Sequence, residues 1–285
     1  MAGQGLPERI TIDGLLDRYP TIFFDAYGVL VHHNGAMPGA AALIERLNRE
    51  GRAYFVVTND ASRLPETAAD RYRSFGLEIP ADRVITSGSL LSPYFEHHGL
   101  AGADCTVLGP DDSRRYVEMA GGRVVAADAD FSVLVIGDET GFDFLKTMNA
   151  VLTGLFRRLG AGRPVRMILP NPDLIFPRGD GAFGFAAGSL GGMIEGALAL
   201  RYPDHPAARF DRLGKPHGAI FEEARRRAGE GPPVMIGDQA ETDIRGANRA
   251  GIDSVLVATG VSAAGGADTD PALRPTFRMD SLEPV

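Results

Sequence analysis

Phe23-Phe24-Asp25-Ala26-Tyr27-Gly28-Val29-Leu30 decides the reading of this chain, because it sets one carboxylate at the mouth of a buried run, just before a glycine turn. Thr21 to Phe24 is β-branched and aromatic with no helical period, which is how a strand of a parallel sheet covered on both faces reads. Ligands of open α/β sheets collect outside the carboxyl ends of the strands. Asp25 therefore stands where a catalytic group is expected.

Two further strand tips and one helix start carry polar groups of a matching kind. Arg52 to Val57 is a second apolar run and ends in Thr58-Asn59-Asp60-Ala61-Ser62-Arg63, a hydroxyl and an amide at another strand tip. Leu213-Gly214-Lys215-Pro216 supplies a lysine just ahead of a helical segment. Pro233 to Ile236 then runs into Gly237-Asp238-Gln239-Ala240-Glu241-Thr242-Asp243-Ile244, with two acids on a strand-to-helix turn. Carboxylates of this kind hold hard divalent cations, and a phosphoryl group wants a hydroxyl and a cation. The inventory suits a divalent metal and a phosphate.

The pattern between these points predicts the architecture. Ala40, Leu43, Ile44 and Leu47 fall at helical spacing after Pro38-Gly39, and Gly51 closes that helix, which makes a βαβ unit with the strand at Tyr54 to Val57. No Gly-x-Gly-x-x-Gly dinucleotide signature accompanies it. A helix is predicted over Pro65 to Phe75 and a strand over Val84 to Thr86. Strands are expected at Thr106–Leu108, Val124–Ala126, Ser132–Ile136 and Val165–Leu169, with a helix from Phe142 to Leu159. After Lys215 the pattern reads helix (Ala219–Ala228), strand (to Ile236), helix (Ile244–Ala250) and strand (Ser254–Val257). Ala263 to Asp270 is Ala/Gly/Asp-rich and reads as a loop.

With 285 residues, 44% hydrophobic content and 23% charge, the chain is long enough to bury one large or two modest cores. A formal charge of −8 argues against a nucleic-acid partner, since phosphate backbones are held by Lys/Arg surfaces. No apolar run approaches the roughly 20 residues that span a bilayer, and Met1 to Ile10 does not read as a secretion signal. Cys105 is the one cysteine, which excludes an internal disulfide and fits a reducing compartment. A cytoplasmic protein without membrane or nucleic-acid partners is expected.

The order Asp25, Thr58, Lys215, Asp238/Asp243 resembles the haloacid dehalogenase (HAD) superfamily of phosphotransferases, specifically its class IIA branch of the NagD and para-nitrophenyl phosphatase type. Gly35-Ala36-Met37-Pro38-Gly39-Ala40, Thr58-Asn59, Asn171-Pro172-Asp173-Leu174, Gly214-Lys215-Pro216 and the stretch from Gly237 to Gly246 fall in that branch's order. The resemblance implies an α/β fold, a Rossmann-like parallel-sheet core (1–85 and 209–285) with an inserted α/β cap domain (86–208). It implies a Mg²⁺-dependent phosphatase acting on a small phosphorylated metabolite, with a homodimer as one possible assembly. Asp25 would attack phosphorus and form an aspartyl phosphate. Asp25, Asp238 and the Tyr27 backbone carbonyl would hold Mg²⁺, with Asp243 completing or orienting the shell. Thr58 would donate to the transferring phosphoryl group, and Lys215 would neutralise its charge. Asn59 and Ser62 would add contacts, and Asn171, Asp173 and Arg178 would line the substrate side of the cap; Gly188 to Gly192 beside them reads either as a tight turn or as glycines at a helix junction. His32 and His33 read as loop residues.

One position departs from the pattern. Phosphatases of the superfamily carry an acid/base aspartate two residues after the nucleophile, where this chain has Tyr27. A phenol with a reference pKa near 10 donates a proton at neutral pH but is a poor base, and losing matched acid/base help costs about 10² to 10⁴ in rate. Slow turnover, a good leaving group or a different proton carrier is expected. Asp-Ala-Tyr-Gly also resembles the true haloacid dehalogenases, whose aspartate attacks carbon without a metal. Those place the cap after the first motif, and the stretch of about 30 residues between Asp25 and Thr58 is too short for one. The metal acids favour the phosphatase. A nearly inactive phospho-ligand-binding regulator is the third alternative.

Overall fold

The structure is a computed structural model that describes residues 7–179, 181–258 and 270–283. It divides into two compact units, one of residues 1–58, 65–85 and 215–285, the other of 59–64 and 86–214. The loop read at Ala263 to Asp270 lies almost wholly outside the described residues.

The first unit is built on a seven-stranded sheet in the order Glu8–Arg9, Phe277–Met279, Asp253–Val257, Pro233–Gly237, Thr21–Phe24, Ala53–Thr58, Val84–Thr86. Thr21–Phe24 pairs in parallel with both its neighbours, Phe24 facing Ile236 on one side and Val56 on the other. All four of its residues are buried, which is why the run shows no alternation of polar and apolar positions. Ile22, Phe24, Tyr54, Val56, Val234, Ile236 and Val255 are among the sheet residues of the core, and Leu43, Ile44 and Leu47 of the helix Ala40–Arg49 pack on it. From Thr21–Phe24 the chain adds strands to one side through Ala53–Thr58, then returns after Lys215 to add strands on the other. The point where the order reverses lies between Thr21–Phe24 and Pro233–Gly237, and crevices at such points bind ligands.

The second unit has its own parallel sheet, in the order Phe210–Arg212, Arg166–Leu169, Val133–Ile136, Asp104–Leu108, Arg123–Val124. Leu134, Ile136, Met167 and Leu169 pack against Val151 and Leu155 of the helix Phe144–Gly160 and against Leu190 and Ile194 of the helix Ala187–Ala199. Cys105 is buried in this sheet, and burial pushes its thiol up to about 11, so it behaves as a packed apolar group. A two-stranded antiparallel hairpin, Ile175–Gly179 with Ala182–Phe185, belongs to the same unit. Of the two readings of Gly188 to Gly192, a tight turn or glycines at a helix junction, the structure has the second, since they fall at the start of the helix Ala187–Ala199. Glycine is required there by close packing, since a Cβ on Gly188 would lie 2.3 Å from the Pro172 carbonyl oxygen. Among the described residues no helix is long and apolar enough to cross a membrane.

Candidate active site

The reversal point of the first sheet brings the sequence-predicted residues of that unit together. The Asp25 amide donates to the Ile236 carbonyl at 2.8 Å, which stitches the first residue beyond one strand to the tip of its neighbour. Gly28 lets the loop after Asp25 fold back over Asp238. It has φ of 88°, and a Cβ there would lie 2.3 Å from Asp238 Oδ2.

Asp243 sits in a single π-type turn, Ala240–Ile244, that leads into the helix Arg245–Arg249. Its Oδ2 accepts the backbone N–H groups of Asp238 at 3.2 Å and Gln239 at 3.1 Å, so it fixes the turn that presents Asp238. Lys215, 2% exposed, donates from Nζ to Asp25 Oδ1 at 2.5 Å and to Asp243 Oδ1 at 2.7 Å. Asp25, Asp238 and Asp243 are all buried and offer carboxylate oxygens within 4.8 Å of one another. Thr58 is buried at the end of its strand, on the sheet edge that carries Asp25.

One lysine does not balance three carboxylates. Burial lifts the Asp243 carboxyl above the usual carboxylate range, with Lys215 opposing and Asp25 adding to the rise. Burial alone would lower the Lys215 ammonium, but Asp243 and Asp25 outweigh it and hold that group charged well above its ordinary range. Three clustered carboxylates with surplus negative charge are the donor set that a hard divalent cation takes. The residues present fit such an ion.

Tyr27 is half-buried beside this cluster. Burial pushes its phenol above the ordinary value, while the Arg71 charge and a hydrogen bond with the His33 backbone pull the other way. His32 and His33 fall in and beside the small hairpin Val31–His32/Gly35–Ala36, where His32 Nδ1 accepts the Asn34 N–H at 2.9 Å. Arg71, on the helix Pro65–Ser74, was not legible as a site neighbour: an arginine near the end of a polar helix reads as surface charge.

The remaining expected positions belong to the second unit. Asn59 Nδ2 donates to Asp173 Oδ1 at 2.9 Å, and the Asp173 amide donates to Asn171 Oδ1 at 3.0 Å. Asn59, Asn171 and Asp173 thus form one network, although more than a hundred positions separate Asn59 from Asp173. Ser62 is engaged within its own turn, its N–H and Oγ both donating to Asp60 Oδ1 at 2.7 Å. Arg178 is exposed on the hairpin Ile175–Gly179/Ala182–Phe185.

Residues 22–123 match the sequence pattern of the haloacid dehalogenase-like hydrolases, and residues 212–285 match a second pattern described as HAD-hydrolase-like. The crystal structure of a possible sugar phosphatase of the HAD superfamily from Cytophaga hutchinsonii superposes with a TM-score of 0.82 at 31% identity, covering 98% of this chain and 99% of that one. This chain belongs to the haloacid dehalogenase-like hydrolases. The ribonucleotide monophosphatase NagD of Escherichia coli K12 is 27% identical over 93% of this chain and 97% of its own length. The dihydroxyacetone phosphatase of Corynebacterium glutamicum strain R is 28% identical over 84% of this chain and 80% of its own. Within the haloacid dehalogenase-like hydrolases the chain falls in the class IIA, NagD-like branch and is a phosphomonoester hydrolase.

Proposed function

We propose that this HAD phosphatase is Mg²⁺-dependent and hydrolyses a small phosphorylated metabolite through an aspartyl phosphate on Asp25. The observation that carries the reading is the Lys215 bridge between Asp25 and Asp243 beside Asp238, a buried cluster at the point where the strand order reverses.

In this reading Lys215 holds Asp25 Oδ1, which leaves Oδ2 as the attacking oxygen. The new bond joins Oδ2 to phosphorus as the bond to the leaving-group oxygen breaks, and that oxygen takes up a proton. Water then attacks the same phosphorus, and Asp25 leaves as a carboxylate with release of phosphate. Lys215, held charged by its two carboxylates, stabilises negative charge on the phosphoryl oxygens, and the Thr58 hydroxyl donates to them. Asp25, Asp238 and the Tyr27 carbonyl would hold Mg²⁺, with Asp243 anchoring the Asp238 turn, and the bound ion would offset the repulsion between phosphate and carboxylate. Because burial raises the Tyr27 phenol, it is a weaker acid than the aspartate usual at this position. The enzyme is expected to favour substrates whose leaving groups depart without protonation.

Residues 86–208 act as the cap in this proposal, with Asn59, Ser62, Asn171, Asp173 and Arg178 selecting the substrate. Dihydroxyacetone phosphate and ribonucleotides, named for the relatives, set the classes to screen: sugar phosphates and nucleoside monophosphates. A panel of phosphorylated metabolites assayed with Mg²⁺ and with excess chelator tests the reading. Turnover that requires the metal supports it. Chelator-resistant release of halide from a 2-haloacid would replace it with the dehalogenase, and no turnover of any kind would leave the binding protein.

A further inference from the structure

The chain passes between its two units four times, and residues at three of those passages touch one another inside the second unit. Asn59 directly follows Thr58, Ser87 stands two residues past Ile85, and Gly214 directly precedes Lys215. Asn59 is 5% exposed and meets both of the others. Ser87 Oγ donates to the Asn59 backbone carbonyl at 2.7 Å. On Gly214 a Cβ would lie 2.5 Å from Asn59 Oδ1 and 2.6 Å from the Pro170 carbonyl oxygen, so only glycine lets these groups close on the chain there. Gly214 N–H donates to that same Pro170 carbonyl at 2.9 Å, and Leu213 N–H donates to the Leu169 carbonyl at 3.2 Å. The Asn59 side chain is itself held: its Nδ2 donates to Asp173 Oδ1 at 2.9 Å, and an amide bonded to a carboxylate is of the stronger, charge-assisted kind.

We propose that the Asn59–Asp173 pair is a clamp that holds Gly214 against the Pro170 carbonyl and so sets the backbone one peptide bond away from both Thr58 and Lys215. Asn59 and Asp173 are positioning residues in this role. It rests on the phosphatase reading, in which the Thr58 hydroxyl and the Lys215 ammonium meet the phosphoryl oxygens. Thr58 is fixed from one direction by its strand, and Lys215 by its bonds to Asp25 and Asp243. The clamp fixes the chain on the other side of each. Misplacing a group by about 1 Å costs on the order of 10²-fold in rate, so the segments that lead into these two residues have to be held. The role is separate from substrate selection, because it acts on kcat with every substrate.

Asn59→Asp in the full chain, alone and combined with Asp173→Asn, tests the clamp. The single variant sets two carboxylates against each other. Amide hydrogen exchange at Leu213 and Gly214 should then speed up about tenfold, and kcat at saturating substrate should fall about 10²-fold. The double variant keeps the parent's net charge and restores a donor facing an acceptor with the direction reversed, so both readouts should return to within about threefold of the parent. Gly214→Ala, which wedges a methyl group between Asn59 and Pro170, should reproduce both losses with no change of charge. Parent-like exchange at Leu213 and Gly214 in Asn59→Asp and in Gly214→Ala overturns the proposal. A loss of kcat that the double variant fails to recover also overturns it, and would make Asn59 a direct contact of the substrate. If the parent protein turns over no phosphate ester, the phosphatase reading fails on its own, and the exchange rates still decide the clamp.

Discussion

The two larger sheets of this chain are parallel and both reverse their strand order, yet only one of the two reversal points is set up for chemistry. In the first unit the reversal lies between Thr21–Phe24 and Pro233–Gly237, and the residues just past those tips are Asp25 and Asp238. In the second it lies between Asp104–Leu108 and Val133–Ile136. There the unit's own stretch 59–64 covers the edge. Ser113 Oγ donates to the Ala61 carbonyl at 2.7 Å, Leu64 N–H to Asp112 Oδ2 at 2.9 Å, and Tyr116 OH to the Arg63 carbonyl at 2.6 Å. A Cβ on Gly137 would lie 3.1 Å from that Ala61 carbonyl, so the strand tip and the stretch are in close contact. Parallel topology supplies a crevice twice, and side-chain charge decides its use: a buried lysine among carboxylates in one, a hydrogen-bonded segment of chain in the other.

Removing the lysine should break the first site most severely. Lys215→Met leaves Asp25, Asp238 and Asp243 buried without their cation, and breaking a buried pair in this way costs about 3–5 kcal/mol. Chemical denaturation should show a loss of that order in the metal-free protein, partly recovered when Mg²⁺ is added, because the ion replaces the missing charge. A loss of stability that Mg²⁺ does not touch would remove the carboxylates from the metal site.

The second reversal point is expected to respond more weakly. Ser113→Ala deletes a buried donor and leaves the Ala61 carbonyl without that bond, which costs about 1–2 kcal/mol by thermal unfolding. An unchanged transition would mean that the stretch 59–64 is held by its other bonds alone.

The smallest expected effect concerns Glu139, three residues past the strand Val133–Ile136. Burial first, then the charges of Asp138 and Asp60, push its carboxyl up to about 7, with Arg63 opposing. The folded state therefore binds this proton more tightly than the unfolded chain, whose ordinary value is 4.5. The associated stability is fully present below about 4.5 and is lost as pH rises through about 7. Glu139→Gln should remove that slope. At pH near 8 the variant should exceed the parent by about 1 kcal/mol, the shift being discounted for the group's partial exposure to solvent. Parallel stability–pH curves for the two proteins would show that Glu139 does not titrate in this window.

Much of the first unit was legible because its central strands are buried on both faces and its helices keep a clear apolar stripe. Thr21–Phe24, Val84–Thr86 and the helix Ala40–Arg49 stand where the pattern puts them. The same rule located the strands Val133–Ile136 and Arg166–Leu169 within a residue of the expected bounds. Elements that take their stability from tertiary contacts escaped it. The helix Ala187–Ala199 carries Gly188, Gly191 and Gly192 and so has a weak helical signal; Gly188 answers to the packed Pro172 carbonyl and not to helix propensity. The edge strand Glu8–Arg9 and its neighbour Phe277–Met279 are too short to show a period. The helix Ile12–Arg18 likewise lies outside the expected elements. At the site, carboxylates and lysine announced themselves by position at strand tips and a helix start.

The account stands on Asp25 as the atom that takes the phosphoryl group. Acid quenching of the enzyme during turnover of a radiolabelled aryl phosphate with Mg²⁺, followed by peptide mapping, tests this directly. Label should appear on the peptide carrying Asp25, should be released by hydroxylamine as an acyl phosphate is, and should be absent from Asp25→Asn, whose turnover should fall by at least about 10⁴-fold. Rapid turnover by the parent with no label on that peptide, or parent-level activity in Asp25→Asn, would contradict it.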